Sequence, residues 1–335
     1  MKAARTIVEY VGNVKPGENV LIYVDTQGDI HAANYLAAAA HAAGAQVSLL
    51  LFETRPEVDL EPPAPLAAAM AAADLVIELA ERYIIHTRAY LRALQSARVL
   101  CLSGLTCEMM KRCVADVDYP KMLEFGDALA GVLQQGNRME IKTPAGTAIV
   151  CELRGRPVEH NAGRICKAGE ESFLGGQVSW YPVKETINGT LVFDGSVWPP
   201  HDLGRLQEPI ELVVERGEIK GVHGGREARR LKSWLESFSD PKMFMIAHFS
   251  YGFNPGARLT GRILEDERVF GSIEVGIGAQ VSSFEVELAS AHTDGVMLSP
   301  SVLLDREVIE VEGRFVHPRL CVLAAELLRT KPSGG

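Results

Sequence analysis

The sequence predicts an α/β protein in two parts. The first is a doubly wound α/β domain over residues 1–130, and the second a β-rich α+β domain over residues 131–335. Three observations predict it. The 335 residues exceed one ordinary hydrophobic core, so two domains are expected. The first third alternates continuous apolar runs of strand length with alanine-rich helical stretches, the pattern of βαβ units. Beyond Gly136 the character changes to short alternating strands separated by turn clusters, among which histidines and carboxylates recur.

Asn19 to Asp25 reads as a buried parallel strand, and its polar exit through Asp29 can cap the helix that follows. Ile30 to Ala43 is that helix, stopped by Gly44, and Gln46 to Phe52 is the next strand. Leu66–Ala73 predicts a helix, and Leu75–Leu79 and Arg98–Ser103 further strands. Neither GxGxxG nor GxxxxGK[ST] occurs, so nothing here indicates nucleotide binding. In the second part, Met139–Leu153 predicts a hairpin about Pro144-Ala145-Gly146. Gly175–Asp194 adds strands with turns at Pro182 and Asn188-Gly189, and Ile210–Val214 and Glu218–Val222 two more. Ala228–Glu236 has one apolar side and predicts a helix. Pro318–Arg329 closes the chain as another.

A formal net charge of -9 argues against nucleic acid or an anionic membrane as partner. No stretch approaches the ~20 apolar residues of a membrane span, and no signal peptide is visible, so a cytoplasmic protein is expected. The six cysteines show no CxxC or finger spacing and are expected as free thiols.

The most informative stretch is Ala289–Leu298, centred on His292-Thr293-Asp294. Residues two apart on a strand share a face, so imidazole and carboxylate stand side by side. Divalent iron, zinc or manganese accepts such a pair and needs a third ligand from elsewhere, for which His248 in Ile246–Ser250 is the candidate. The same spacing also fits a surface strand with a polar face. Glu274 is a carboxylate within the alternating strand Gly271–Gly276. It lies either on an outer face or buried, where it must be paired or bind metal. Arg268 ends a dense charge run, either a solvated helix face or an anchor for a ligand or an anionic substrate. His86 follows the strand-like Tyr83-Ile84-Ile85, where α/β sheets place ligands.

Several segments carry a family resemblance. They are Lys15-Pro16-Gly17-Glu18, Ala168-Gly169-Glu170, Asn188–Gly195, Gly252-Phe253-Asn254-Pro255, Glu265–Arg268 and His292–Met297. Together they are similar to the superfamily of thermophilic metallo-aminopeptidases and, within it, to its 2,5-dihydroxypyridine 5,6-dioxygenases. The resemblance covers most of the chain and is strongest from about residue 165 onward. The aminopeptidases use two metals held by two glutamates, two histidines, a tyrosine and an aspartate. On that pattern Glu170 retains the first glutamate position, His248 replaces the second, and Glu274 stands at a histidine position. A carboxylate can bridge two cations where a neutral imidazole offers one lone pair, so the replacement at 248 speaks for a single metal.

The resemblance therefore implies a non-haem Fe(II) ring-cleaving dioxygenase, with His248, His292 and Asp294 as ligands. Its substrates would be a dihydroxypyridine-like heteroaromatic ring and O2, the ring opening between its fifth and sixth atoms to N-formylmaleamate. His86 would transfer protons, facing the metal from the other domain, and Arg268 would orient substrate or a ligand. Glu170 would hydrogen-bond near the site without ligating. The alternative is a Zn2+- or Co2+-dependent aminopeptidase or amidase, with Glu170 or Glu274 as ligand or general base. The family also suggests a homo-oligomer.

Overall fold

The computed structural model describes residues 1–160, 162–282 and 284–329. It divides into two compact units, Met1–Val117 with Asn161–Gly175, and Asp118–His160 with Gly176–Gly335. The expected mixed α/β architecture is borne out, with a parallel sheet in the first unit and antiparallel sheets in the second.

The first unit holds a five-stranded parallel sheet. Its order is Gln46–Phe52, Asn19–Asp25, Leu75–Glu78, Arg98–Cys101 and Glu171–Phe173. The three inner strands are nearly continuous apolar runs because helices and loops cover both faces. Asp29 caps the helix Ile30–Ala42, its Oδ1 accepting from the His31 and Ala32 amides at 2.9 and 3.1 Å. Gly44 follows at φ +88°, a conformation cheap only for glycine. Leu21, Tyr23, Leu66, Met70, Val76, Ile84 and Val99 form one core cluster.

The second unit is built on two antiparallel sheets. One has eight strands, running from Glu218–Gly224 at one edge to Arg314–Phe315 at the other. The other has seven. Its order is Gly204–Arg205, Ser196–Trp198, Val286–Met297, Ser272–Val281, Ile246–Gly252, Gln177–Trp180 and Val158–Glu159. The helix Tyr119–Leu133 crosses residue 130 and belongs to this unit. Its Phe125 ring packs against Phe253, Phe270 and Phe315, with centroids 5.3, 5.9 and 5.0 Å away. That aromatic cluster draws the helix to the second unit.

Three local readings differ from the structure. Asn188-Gly189 opens the strand Asn188–Phe193 instead of making a turn. Gly189 there passes so close to Ala148 that a Cβ would meet its carbonyl oxygen at 2.2 Å, so the glycine serves close strand approach. Tyr83-Ile84-Ile85 is a turn-containing loop instead of a strand. Its apolarity is spent on the core, where Ile84 is buried and Ile85 packs alongside. The charge run ending at Arg268 is not a solvated face, since Glu265, Asp266 and Arg268 are fully buried. Their carboxylates collect the backbone amides of Arg258, Thr260 and Gly261, closing the loop that precedes the short helix Ile263–Asp266. Among the described residues no helix is long and apolar enough to cross a membrane, and all six cysteines are free.

Candidate metal centre

The seven-stranded sheet brings the chemistry together by register. Gly276 is the Cα partner of His248 on one side and of Asp294 on the other. Paired residues of antiparallel strands present their side chains on one face, so His248 and Asp294 flank a position that has no side chain. His292 precedes Asp294 by two and shares that face, opposite Gly278. A Cβ at Gly276 would lie 2.3 Å from Cε1 of His248 and 2.8 Å from Cε1 of His292. The glycine thus makes the space into which both imidazoles lean. Their rings are parallel within 9°, with centroids 5.3 Å apart.

One ligand atom each from His248, His292 and Asp294 lies within 4.8 Å of the other two. Nδ1 of His292 donates to the Ala279 carbonyl at 2.7 Å. In the neutral ring this fixes the tautomer and leaves the Nε2 lone pair for a cation. Nε2 lies 2.8 Å from Oδ1 of Asp294, and Nε2 of His248 lies 3.9 Å from the same oxygen. Two imidazole nitrogens and a carboxylate oxygen, nearly buried, with a glycine cradle between them, fit a divalent ion of borderline softness.

The electrostatics are those of a crowded acidic site. Burial, then the neighbouring His292, pushes His248 down to about 4. Burial would lower His292 as well, but Asp294 outweighs it and raises this histidine to about 9. Asp294 is lowered to about 2, because the two histidines overcome its own desolvation. Glu274 is fully buried, and burial together with Asp294 and Glu267 drives its carboxyl well above the usual range. Its Oε2 lies 3.3 Å from Nε2 of His248. Glu267, Glu274 and Asp294 form a second group of donors within 4.8 Å of one another.

Behind the ligands runs a polar chain. Arg268, fully buried, donates to Glu267, to the Leu264 carbonyl at 2.8 Å and to Oε1 of Gln177 at 3.3 Å. Gln177 donates in turn to Oε2 of Glu274 at 3.4 Å. Ser250 pairs with Glu274 across the strands and shares a 2.8 Å hydrogen bond with Ser179. A guanidinium thus braces carboxylates that would otherwise repel one another. Tyr181 packs against the His248 ring at 6.0 Å and donates to Glu159 at 2.8 Å.

The structure therefore brings His248, His292, Asp294, Glu274 and, through Gln177, Arg268 into one constellation. His86 and Glu170 belong to the other unit. His86 sits in the turn before the helix Arg88–Leu94, its ring Nδ1 2.7 Å from Oδ2 of Asp59 and its amide donating to Oδ1 at 3.0 Å. Glu170 closes its own turn, its Oε2 accepting from the amides of Cys166 and Lys167 at 2.6 and 3.2 Å. Sequence reasoning missed Glu267, Gln177, Gly276 and the Asp59 partner of His86. Glu267 lies within the charged segment Glu265–Arg268, and Gly276 stands two residues from Glu274. Gln177 and Asp59 reach their partners only through tertiary folding, which no local pattern records.

The model of the 2,5-dihydroxypyridine 5,6-dioxygenase family, NicX, matches residues 6–317. A curated 2,5-dihydroxypyridine 5,6-dioxygenase from Pseudomonas putida is 24% identical over 261 residues, covering 75% of this chain and 73% of its own. The solved 2,5-dihydroxypyridine dioxygenase of Pseudomonas putida KT2440 superposes with a TM-score of 0.79 at 20% identity, over 95% of this chain and 97% of that one. Wild-type AmpT from Thermus thermophilus superposes with a TM-score of 0.68 at 17% identity, over 94% and 98%. The fold is common to both, and the match over residues 6–317 places this chain in the 2,5-dihydroxypyridine 5,6-dioxygenase family.

Proposed function

We propose that this chain is a mononuclear non-haem Fe(II) dioxygenase that opens a dihydroxypyridine-type ring with O2. The observation that carries the reading is the convergence of His248, His292 and Asp294 beside Gly276, a two-histidine, one-carboxylate donor set. The family match and the activity named for its relatives support the substrate class. A ferrous ion held there would supply electron exchange between an electron-rich ring and dioxygen.

The residues do the rest. The Ala279 carbonyl holds His292 in the tautomer that presents Nε2. Burial and its acidic neighbours push the Glu274 carboxyl up, and in its protonated form it can donate a hydrogen bond instead of adding a further negative charge. Arg268 and Gln177 hold Glu267 and Glu274 in place. His86, its Nδ1 fixed by Asp59, has the chemistry to accept a proton at Nε2 and return it later, the role we assign to it.

The test is anaerobic purification with metal analysis, followed by reaction of 2,5-dihydroxypyridine with O2. One iron per chain and one O2 consumed per ring opened is the expected result. The donor group Glu267, Glu274 and Asp294 supports a second reading, a two-cation hydrolase. Two zinc or cobalt ions per chain, with aminopeptidase turnover and no ring opening, would establish that reading instead.

A further inference from the structure

We propose that Trp198 is the wall against which the substrate ring stacks, fixing the ring plane beside the metal centre. This rests on the ring-opening reading above and names the residue that recognises the ring.

Trp198 ends the strand Ser196–Trp198, and its Cα partner on the neighbouring strand is Asp294. Residues so paired put their side chains on one face, with their strands only about 5 Å apart. The indole therefore leaves the same face as the ligand carboxylate, one strand away, on the side opposite His248. Burial separates the three tryptophans. Trp180 is fully buried in the core and Trp234 nearly so, whereas Trp198 keeps partial exposure. A large aromatic left partly open beside half-buried ligands has the character of a binding surface.

The wall is also held still. Val197 is paired on both sides, with Gly295 and with Gly204. The Thr293 hydroxyl donates to the Pro199 carbonyl, tying the residue after Trp198 to the ligand strand. The His201 ring packs on the indole, with centroids 5.2 Å apart and planes at 52°. A rigid aromatic loses little freedom when a planar ring stacks on it, so the contact goes into affinity and orientation. Tyr181 lies beyond His248 at the other end of the same row, and its hydroxyl is engaged by Glu159. It supports a ligand, while Trp198 meets the substrate. Trp198 takes no part in electron or proton transfer, so its effect belongs in binding.

The test compares the full-length parent with Trp198→Ala, Trp198→Leu and Trp198→Phe. Binding of 2,5-dihydroxypyridine is measured by anaerobic calorimetry on iron-free protein, and steady-state kinetics on iron-loaded protein. Trp198→Ala and Trp198→Leu should weaken binding about ten-fold or more, and Trp198→Phe should restore it to within about three-fold of the parent. KM should carry the change, with kcat altered less and iron content unchanged. If the alanine variant does not fold, the leucine–phenylalanine pair makes the same comparison, since only one of them has a π face. Parent-like binding in Trp198→Leu would overturn the proposal while leaving the ring-opening reading standing. A parent that neither binds nor opens the ring would overturn both.

Discussion

Gly276 stands so close to His248 that a Cβ at the glycine would lie 2.5 Å from Nδ1 of the imidazole and 2.3 Å from Cε1. The strand could accept a methyl group, but the ring could not keep its place. Gly276→Ala should therefore leave the fold intact and displace His248 from the donor set. Metal content by mass spectrometry should fall at least about ten-fold, the usual scale for disturbing how a ligand is held. His248→Ala and Asp294→Ala should lose the metal more completely. A Gly276→Ala protein that retains a full complement of iron would exclude His248 as a ligand.

Arg268 is fully buried and braces Glu267 and Gln177. Its removal leaves carboxylates in a dry site without their guanidinium. Arg268→Met should cost about 3–5 kcal/mol in urea denaturation, the range for breaking a buried ion pair from one side. Arg268→Lys should recover only part, because an ammonium cannot reach Glu267, Gln177 and the Leu264 carbonyl with one planar fork. A loss below about 1 kcal/mol would show the pair to be solvent-screened.

Much of this was legible in the sequence. The strand–helix–strand run from Asn19 to Phe52 was, because continuous apolar runs and a capping aspartate are local signals. So was the shared face of His292 and Asp294, which follows from strand geometry alone. The strand Glu171–Phe173 was not. It joins the first unit's sheet beside Arg98–Cys101, about 70 residues away in sequence, and no local pattern encodes such a return. Arg268 was ambiguous for a related reason. A run of four charged residues reads as solvated until tertiary packing supplies the loop amides and the Gln177 partner that make its burial tolerable.

Glu78, in the first unit, offers a test of stability against pH. It is fully buried, and desolvation, aided by the charges of Asp59 and Asp25, pushes it up to about 8. A carboxyl whose folded pKa is raised contributes stability that is complete below its unfolded value. That stability is lost as pH rises through the folded value. The window therefore runs from about 4.5 to about 8. Glu78→Gln removes the ionisation but keeps the shape. Its Tm should match the parent near pH 4.5 and exceed it by several degrees at pH 8. A difference that does not change with pH would show that Glu78 ionises freely in the fold.

The last prediction concerns the first unit. Both carboxylate oxygens of Asp59 are committed to His86, one to its amide and one to its ring. When the ring is neutral, that contact keeps its proton on Nδ1 and the lone pair on Nε2, the arrangement a general base requires. Asp59→Asn can present an amide donor to Nδ1 instead and stabilise the opposite tautomer. His86→Ala should lower kcat on the order of 100-fold. Asp59→Asn should lower it about ten-fold or more, with the tautomer change visible in the 15N shifts of His86. Both variants should retain one iron per chain. So should Glu170→Gln, since the wild-type carboxylate is occupied by the amides of Cys166 and Lys167. Loss of iron in either His86→Ala or Glu170→Gln would make that residue a ligand and return the two-metal reading to first place. Full activity in His86→Ala would reduce the Asp59 contact to one that shapes the turn before the helix Arg88–Leu94.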